Sequence, residues 1–254
     1  MNRYIKYVKR KYANLSMTKE RTVQFSEALI SFTFDDAPGS AFTNGSNILN
    51  KLGFLGTYYI ALSFLDSDDP SYRFSALQLQ RAIQEKHEIG CHTFSHLDVS
   101  QTNFTKSVKD IQINQQRFRE LFPNQRFENF SYPFGAQTKA IKAFVGEQFK
   151  SARGIEDGLN CGRVDLLNLK ACKLYENSIS LQRIYQKIEE AIQQKAWLIF
   201  YTHDVKVNPS QYGCSPDYLN AVAQVCADLQ LRVLPVREVL QLIEKTNNIP
   251  IYHA

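Results

Sequence analysis

The chain has 254 residues, of which 44% are hydrophobic and 22% are charged, and its formal net charge at pH 7 is +5. This length and composition suit a single α/β barrel with a sizeable core, and they exclude a disordered or fibrous chain. The mild positive charge comes without a helix-turn-helix, zinc-finger or aromatic RNA-binding pattern, so we expect no nucleic-acid partner. The five cysteines are odd in number and show no Cys-x-x-Cys spacing, which predicts free and mostly buried thiols.

Basic residues concentrate in residues 1–24, which we interpret as an N-terminal arm. The arm lacks the apolar stretch and cleavage site of a secretion signal, and no later run approaches the roughly 18 apolar residues of a membrane span. We therefore expect a cytoplasmic protein. Tyr4, Tyr7 and Tyr12 interleave with the basic side chains. This pattern is typical of a solvated terminal helix, or of a short helix at the inner face of an anionic membrane.

After the arm, short apolar or β-branched runs alternate with segments of helical periodicity, which predicts repeated β-α units and a parallel sheet. In chain order, the predicted strands are 28–34, 56–62, 88–93, 127–132, 150–154, 170–174, 197–203 and 231–235. The predicted helices are 76–86, 104–122, 180–195, 216–229 and 236–246. Ser75 is the expected N-cap of the first helix, and Asn177 or Ser178 that of the third. Because the sequence contains no internal repeat or low-complexity linker, we expect residues 25–254 to form a single domain.

Unusual polar residues fall at the predicted carboxyl ends of strands. Asp35 and Asp36 end the first strand, His92 the third and His203 the seventh. In a parallel barrel these ends converge on one face, where enzymes of this architecture place their sites. His92, His96 and the carboxylate of Asp36 suit one divalent metal with an open position for water: zinc first, with cobalt, nickel or manganese as alternatives.

Each of these features also has a simpler interpretation. An aspartate pair after a strand can be a helix N-cap, two histidines at this spacing can be a coincidence, and a lone His203 can be a core residue. Their convergence at strand ends favours chemistry, with Asp35 as a base toward water and His203 as the acid that protonates the leaving group. His87 and His253 lack such a context, and we expect both at the surface.

Four motifs resemble, in order, those of the polysaccharide deacetylase family, the NodB-homology group: Thr33-Phe34-Asp35-Asp36, His92-Thr93-Phe94-Ser95-His96, Tyr132-Pro133-Phe134-Gly135 and Tyr201-Thr202-His203. The resemblance spans residues 28–245 and implies an irregular (β/α) barrel of about seven parallel strands. It implies that Asp35 is the catalytic base, that His203 is the general acid, and that the metal ligands are Asp36, His92 and His96. It also implies an oxyanion donor at the backbone N–H of Phe134, and substrate contacts at Tyr132, Pro133 and Tyr201.

The chain departs from the family pattern in two places. The third motif commonly begins with an arginine that braces the base, whereas Ser131 stands there. We hypothesise that Arg153, at the end of the next predicted strand, replaces that arginine; alternatively it is an ordinary surface residue. The fourth motif, usually an aspartate with a tryptophan, is not recognisable. Asp157 and Asp165 are weak candidates for it, and the single tryptophan, Trp197, begins a predicted strand.

These departures resemble an intracellular branch of the family with a Tyr-Pro-Phe-Gly third motif. That resemblance implies a hydrolase that removes the acetyl group from an N-acetylated sugar. The sugar would be a precursor of cell-surface polysaccharide and would be linked to a nucleotide or to a lipid. Three alternatives stay open. They are an O-acetyl carbohydrate esterase, a non-catalytic sugar-binding protein on the same barrel, and a metal-free hydrolase of cyclic amides.

Overall fold

The structure is a computed structural model that describes residues 18–247. Within this range, strands alternate with helices along the chain. The ten strands are β1 Glu20–Val23, β2 Leu29–Asp35, β3 Thr57–Ile60, β4 Glu88–Cys91, β5 Asn129–Ser131, β6 Ser151–Arg153, β7 Gly162–Asp165, β8 Cys172–Lys173, β9 Trp197–Thr202 and β10 Arg232–Val233. The seven α-helices are α1 Ser46–Lys51, α2 Ala76–Gln84, α3 Phe104–Leu121, α4 Lys139–Gln148, α5 Leu181–Gln194, α6 Pro216–Asp228 and α7 Val236–Asn247.

The main sheet curls into an irregular barrel with the strand order β6-β5-β4-β3-β2-β9-β8, and every strand pair in it is parallel. The short strand β10 adds to β2 at Leu29 and Ile30. The segment leading into β8 crosses the gap between the two edge strands, β6 and β8. There, Leu169 donates its backbone N–H to the carbonyl of Ala152 and accepts from the N–H of Gly154. The predicted architecture, an irregular (β/α) barrel of about seven parallel strands, is confirmed.

Alternating side chains of the central strands divide the apolar interior into two layers. Trp197, Ile199 and Tyr201 of β9 pack inside the barrel, whereas Phe200 packs against the surrounding helices. Every residue of β2 and of β9 is buried, as expected for strands that are covered on both faces. Asp35 follows the inward alternation of β2, so its carboxylate reaches the mouth of the barrel from the inside.

Polar side chains cap the N-termini of five of the described helices, α2 to α6. Ser75 accepts a hydrogen bond from the backbone N–H of Gln78, whose side chain bonds back to the N–H of Ser75, so α2 begins with a capping box. At α5 the cap is Ser180, and the prediction of Asn177 or Ser178 at this position is wrong. Each of the five predicted helices has a counterpart with similar bounds.

Four elements have no counterpart in the sequence-based prediction: α1, α4, β1 and β7. Strands β1 and β7 form a separate antiparallel sheet, so residues 20–23 of the predicted arm pair with residues 162–165. Lys142 of α4 is fully buried, and its Nζ lies 2.5 Å from Oδ2 of Asp165 in β7. The division into an arm over 1–24 and a domain over 25–254 stays a prediction, because residues 1–17 lie outside the described part of the chain.

Cysteine and histidine side chains lie deep in the fold. All five cysteines are free and four of them are buried, as predicted. His87, predicted at the surface, is only 2% exposed, so that prediction is wrong. Its Nδ1 accepts a hydrogen bond from the backbone N–H of Gly56, and its ring packs against Tyr58. His253 lies outside the described residues.

Within residues 18–247, no helix combines the length and the apolar character needed to cross a membrane.

Candidate active site

Three side chains predicted as metal ligands meet at the carboxyl end of the sheet. Asp36 directly follows β2, His92 directly follows β4, and His96 lies in the turn after it. Oδ1 of Asp36 is 3.2 Å from Nε2 of His96 and 3.7 Å from Nε2 of His92. One ligand atom from each residue lies within 4.8 Å of the other two. The three donors therefore form a cluster of the size that a divalent ion requires.

Neighbouring groups orient the two histidines. Nδ1 of His92 is 2.8 Å from the carbonyl oxygen of Ser131, so an Nδ1–H donates there and leaves Nε2 facing Asp36. The turn that carries His96 is held by Asp110 of α3, which accepts hydrogen bonds from two of its backbone N–H groups. Both rings are thus positioned by contacts outside the cluster itself.

Burial sets the protonation of the cluster. It lowers the pKa of His92 to about 3 and that of His96 to about 4, so both rings are neutral at pH 7, the form in which imidazole binds metal. Burial, reinforced by the neighbouring charge of Asp35, raises the pKa of Asp36 to about 8. Oδ1 of Asp36 is also buried without a hydrogen-bond partner. A carboxylate in these surroundings is stabilised by a cation, and the cluster fits a metal on chemical grounds.

Asp35 lies beside the cluster and is bound by Arg153. Both side chains are buried, and Nη2 of Arg153 forms an ion pair with Oδ1 of Asp35 and donates to Oγ of Ser131 at 2.7 Å. The guanidinium carbon lies 5.3 Å and 4.8 Å from the ring centroids of Tyr59 and Tyr201. Burial raises the pKa of Asp35, but Arg153 and two histidines outweigh it and hold this pKa at about 2. Arg153 is therefore not the surface residue of the alternative interpretation.

His203 follows β9, which neighbours β2, and its Nε2 lies 3.8 Å from Oδ2 of Asp36. The carbonyl oxygen of Tyr212 is 3.2 Å from Nδ1 of His203 and also accepts the backbone N–H of His203. Asp204 holds this loop in place by accepting two hydrogen bonds from Ser210. Burial lowers the pKa of His203. The ring is thus fixed at Nδ1 and presents Nε2 toward Asp36.

These groups line one cavity of about 810 Å³ at the mouth of the barrel. Its wall is rich in aromatic rings. The lining residues are Asp35, Asp36, Pro38, Ser71, Tyr72, His92, His96, Phe134, Ile155, Lys173, Tyr175, Tyr201, His203, Asp204, Ser210, Gln211 and Tyr212. Seven of the ten predicted site residues are among them. Of the other three, Arg153 lies behind Asp35, whereas Tyr132 and Pro133 lie elsewhere.

The side chains of Tyr132 and Pro133 do not line the cavity, and their predicted contact with substrate stays a prediction. Tyr132 is 1% exposed and packs edge-on against Phe130. Pro133 is buried at the start of a short helical turn. The turn instead presents Phe134, which is 55% exposed and whose ring centroid lies 4.5 Å from that of His96.

Several site residues have left-handed backbone conformations: Asp36 (φ 56°), Thr93 (φ 59°), His96 (φ 52°) and Phe134 (φ 59°). For a residue with a side chain this conformation costs on the order of 1 kcal/mol. Such positions cluster at functional sites, where the surrounding structure holds them in place. The turns that carry the metal-ligand cluster and Phe134 are thus built with local strain.

Some residues of the cavity are absent from the sequence-based prediction, namely Tyr72, Ile155, Lys173, Tyr175 and Tyr212. Lys173 ends β8, so the rule that site residues follow strand ends could have identified it. Tyr72 and Tyr212 come from loops, whose path a single sequence does not reveal.

The candidates for the fourth motif lie outside the cavity. Asp157 forms an ion pair with Lys187 at 3.1 Å, and Asp165 pairs with Lys142. Trp197 begins β9, as predicted, which places it at the opposite end of the strand from His203.

The chain is similar to known deacetylases in sequence. The sequence model of a family described as polysaccharide deacetylase matches residues 22–148. Over 118 residues, the chain is 30% identical to the peptidoglycan-N-acetylmuramic acid deacetylase PdaC of Bacillus subtilis (strain 168). This alignment covers 46% of the chain and 24% of that protein, so the chain matches about a quarter of its relative.

Solved structures share the fold. The Xyl-CE4 domain of a multidomain xylanase from the hindgut metagenome of Trinervitermes trinervoides has a TM-score of 0.59 at 17% identity, over 89% of this chain and 94% of that one. A CE4 family pseudoenzyme from Bacillus anthracis has a TM-score of 0.60 at 13% identity, over 89% of this chain and 70% of that one. Since a pseudoenzyme has this fold, activity must be argued from the side chains. By its sequence match and its fold, the chain belongs to the polysaccharide deacetylase family.

Proposed function

We propose that the protein is a metal-dependent hydrolase that removes the acetyl group from an N-acetylated sugar. The observation that carries this proposal is the grouping of Asp36, His92 and His96 within 4.8 Å, in a cavity that also holds Asp35 and His203. A base, an acid and three metal-type donors in one cavity are more than a sugar-binding module needs. The same grouping argues against a metal-free hydrolase.

The metal ligands in this proposal are Asp36, His92 and His96, with zinc as the first candidate and cobalt, nickel or manganese as the others. These donors, one carboxylate oxygen and two neutral imidazoles, are the set that zinc sites with an open position use. The ion would supply Lewis acidity to the acetyl carbonyl and to the attacking water.

Asp35 is proposed to accept a proton from the attacking water. Arg153 keeps the carboxylate ionised, since it holds the pKa of Asp35 at about 2 against the effect of burial. The contacts with Arg153 also orient the carboxylate, so that it can take up the proton without reorganisation. In this role Arg153 is a positioning residue, because it acts through Asp35 rather than on substrate.

His203 is proposed to donate a proton to the leaving nitrogen. Its Nδ1–H donates to the carbonyl of Tyr212, so His203 has to take up a second proton, as an imidazolium, before Nε2 can pass that proton to the leaving nitrogen. Phe134 is proposed to supply a backbone N–H to the developing oxyanion, a role that comes from the family resemblance. Its exposed ring and that of Tyr201 form parts of the wall against which the acetylated sugar would lie.

The choice of an N-acetylated sugar rests on the similarity to a relative named for N-acetylmuramic acid. An ester would be cleaved by the same groups, because an ester is easier to hydrolyse than an amide. A precursor of surface polysaccharide on a nucleotide or lipid carrier, a cytoplasmic location and a membrane contact through residues 1–24 also remain part of this proposal.

The proposal can be tested with metal analysis and acetate release on the untagged protein. We expect about one transition-metal ion per chain, as one site requires, and acetate release from N-acetylated sugars. His96→Ala should lose both the metal and the activity. His203→Gln, the matched control, should lose activity and keep the metal, because its ring is not among the three donors.

Absence of metal after reconstitution with zinc, cobalt, nickel or manganese would overturn the mechanism. Metal binding without acetate release from N-acetyl or O-acetyl sugars would instead point to a sugar-binding protein on the same barrel. Release from O-acetyl sugars alone would identify a carbohydrate esterase.

A further inference from the structure

Lys173 places a cation in the wall of the catalytic cavity. It ends β8 and pairs in register with Tyr201 of β9, so both side chains face the mouth of the barrel. The side chain of Lys173 is half-buried, and its Nζ lies 5.9 Å from the ring centroid of Tyr175. Among the described residues, no carboxylate forms an ion pair with Lys173.

The other charged groups of the cavity already have partners. Asp35 is neutralised by Arg153, and Asp36 belongs to the metal-ligand cluster. Asp204 pairs with Lys206 at 3.2 Å and accepts two hydrogen bonds from a neighbouring serine. Lys173 is therefore the charged group of this wall that has no counter-charge within the described part of the chain. A half-buried ammonium in this situation gains most from an anion that enters with the ligand.

We infer that Lys173 binds an anionic group, a phosphate or a carboxylate, on the sugar whose acetyl group reaches His203 and the metal-ligand cluster. This inference rests on the proposed function. The ring of Tyr175 adjoins both Lys173 and His203, with its centroid 5.7 Å from that of His203 and 5.9 Å from Nζ of Lys173. The anion thus sits beside the acetylated ring and away from the reacting amide. The substrate class is an acidic or phosphorylated N-acetyl sugar.

The test is equilibrium binding of three deacetylated sugars to the metal-loaded protein by calorimetry: glucosamine, glucosamine 1-phosphate and muramic acid. Wild type should bind at least one of the two anionic sugars about tenfold more tightly than glucosamine, as expected for one charge-assisted contact. Comparing glucosamine 1-phosphate with muramic acid shows whether the site prefers a phosphate or a carboxylate. Lys173→Met should abolish the preference, and Lys173→Arg should retain it.

Arg73→Met is the matched control. Arg73 is an exposed cation that lines the adjacent cavity of about 670 Å³, and its removal changes the net charge equally. The preference for the anionic sugar should persist in this variant. An equal loss in Arg73→Met, an undiminished preference in Lys173→Met, or no preference in wild type would each overturn the inference.

Binding of these products requires no turnover, so the inference and the proposed function fail separately. If wild type prefers an anionic sugar through Lys173 but releases no acetate from its N-acetyl form, the proposed function fails alone. If wild type releases acetate but shows no such preference, the inference fails alone.

Discussion

Arg153 acts at the scale of a single residue, because its guanidinium touches Asp35, Ser131 and two aromatic rings without reaching the cavity itself. Ser131, which stands where the family commonly has arginine, contributes twice. Its Oγ accepts from Arg153 and its carbonyl oxygen faces Nδ1 of His92. Arg153 of β6 thus makes the contact with Asp35 that the family pattern implies for an arginine in place of Ser131 of β5.

Substitution of Arg153 by glutamine should impair catalysis through Asp35. We expect kcat/KM to fall by about 10²-fold, on the scale of a lost general-base contribution. Without the cation, burial dominates and the pKa of Asp35 rises from about 2, so a larger fraction of the base is protonated at acid pH. The acidic limb of the pH profile of kcat/KM should therefore move to higher pH.

The control for this prediction is Arg163→Gln, which removes an exposed arginine that pairs with Glu20 on the small sheet. Both variants should keep their metal content. An unchanged pH profile in Arg153→Gln would remove Arg153 from the mechanism, and loss of metal would indicate a structural role instead.

Phe134 offers a test of the strain stored in the site. In Phe134→Gly, the left-handed backbone costs nothing, so the free energy of unfolding should be unchanged or higher by up to about 1 kcal/mol. The KM for an acetylated sugar should rise, because an exposed ring of the cavity wall is lost. Phe134→Ala keeps the strained backbone and should be the less stable of the two in urea unfolding; the reverse order would contradict this account.

Site residues could be predicted from the sequence where they follow strands of the parallel sheet. Asp35, Asp36, His92 and His203 are placed by the sheet itself, so strand ends indicate them. A motif does not show which way each side chain turns: in the third motif Phe134 lines the cavity, whereas the side chain of Tyr132 is buried.

At the scale of elements, the pair Lys142–Asp165 ties α4 to the small sheet of β1 and β7. Asp165 also accepts hydrogen bonds from three backbone N–H groups, including that of Lys19, which precedes β1. Asp165 therefore connects α4, β7 and the segment that precedes β1.

Lys142→Met should destabilise the protein by about 3–5 kcal/mol, the usual cost of leaving a buried charge without its partner. Urea unfolding measures this change. Replacing Asp165 by asparagine in the same chain should recover part of the loss, since the uncompensated charge is then gone. Lys139→Met, at an exposed position of α4, is the control and should have little effect. Equal stability of Lys142→Met and Lys139→Met would show that the buried pair is unimportant.

The same residues explain why some elements escape sequence-based prediction. Lys142 is fully buried on the inner face of α4, beside Ile141 and Val145, so a charge interrupts the apolar stripe by which a helix is recognised. Strands β1 and β7 are four residues each, largely exposed, and pair across more than a hundred residues. Local sequence carries little information about such pairings. The strands of the main sheet were predictable because they are continuous buried runs.

At the scale of the whole molecule, the metal-ligand cluster joins the loops after β2 and β4. A ligand that binds only the folded chain stabilises it by mass action, by about 2.7 kcal/mol at a hundredfold excess over Kd. Zinc should therefore raise the Tm of the wild-type protein, as measured by thermal unfolding with and without metal. The same addition should leave His96→Ala unchanged and still stabilise His203→Gln. A Tm shift that persists in His96→Ala would mean that zinc binds elsewhere.

The crossing of the barrel gap by Leu169 has a consequence for how activity depends on temperature. The backbone of Leu169 forms hydrogen bonds with Ala152 and Gly154, the two chain neighbours of Arg153, which ends edge strand β6. Leu169 closes this edge of the sheet with two backbone hydrogen bonds. We expect the edge to open at a lower free-energy cost than the centre of the sheet, where each strand is paired on both sides. We expect such an opening to loosen Arg153 and to release Asp35 from its cation while the rest of the barrel stays folded. We therefore expect the rate of acetate release to fall on heating at temperatures below the Tm of the chain. The rate should recover on cooling, because this edge of the barrel opens and closes reversibly.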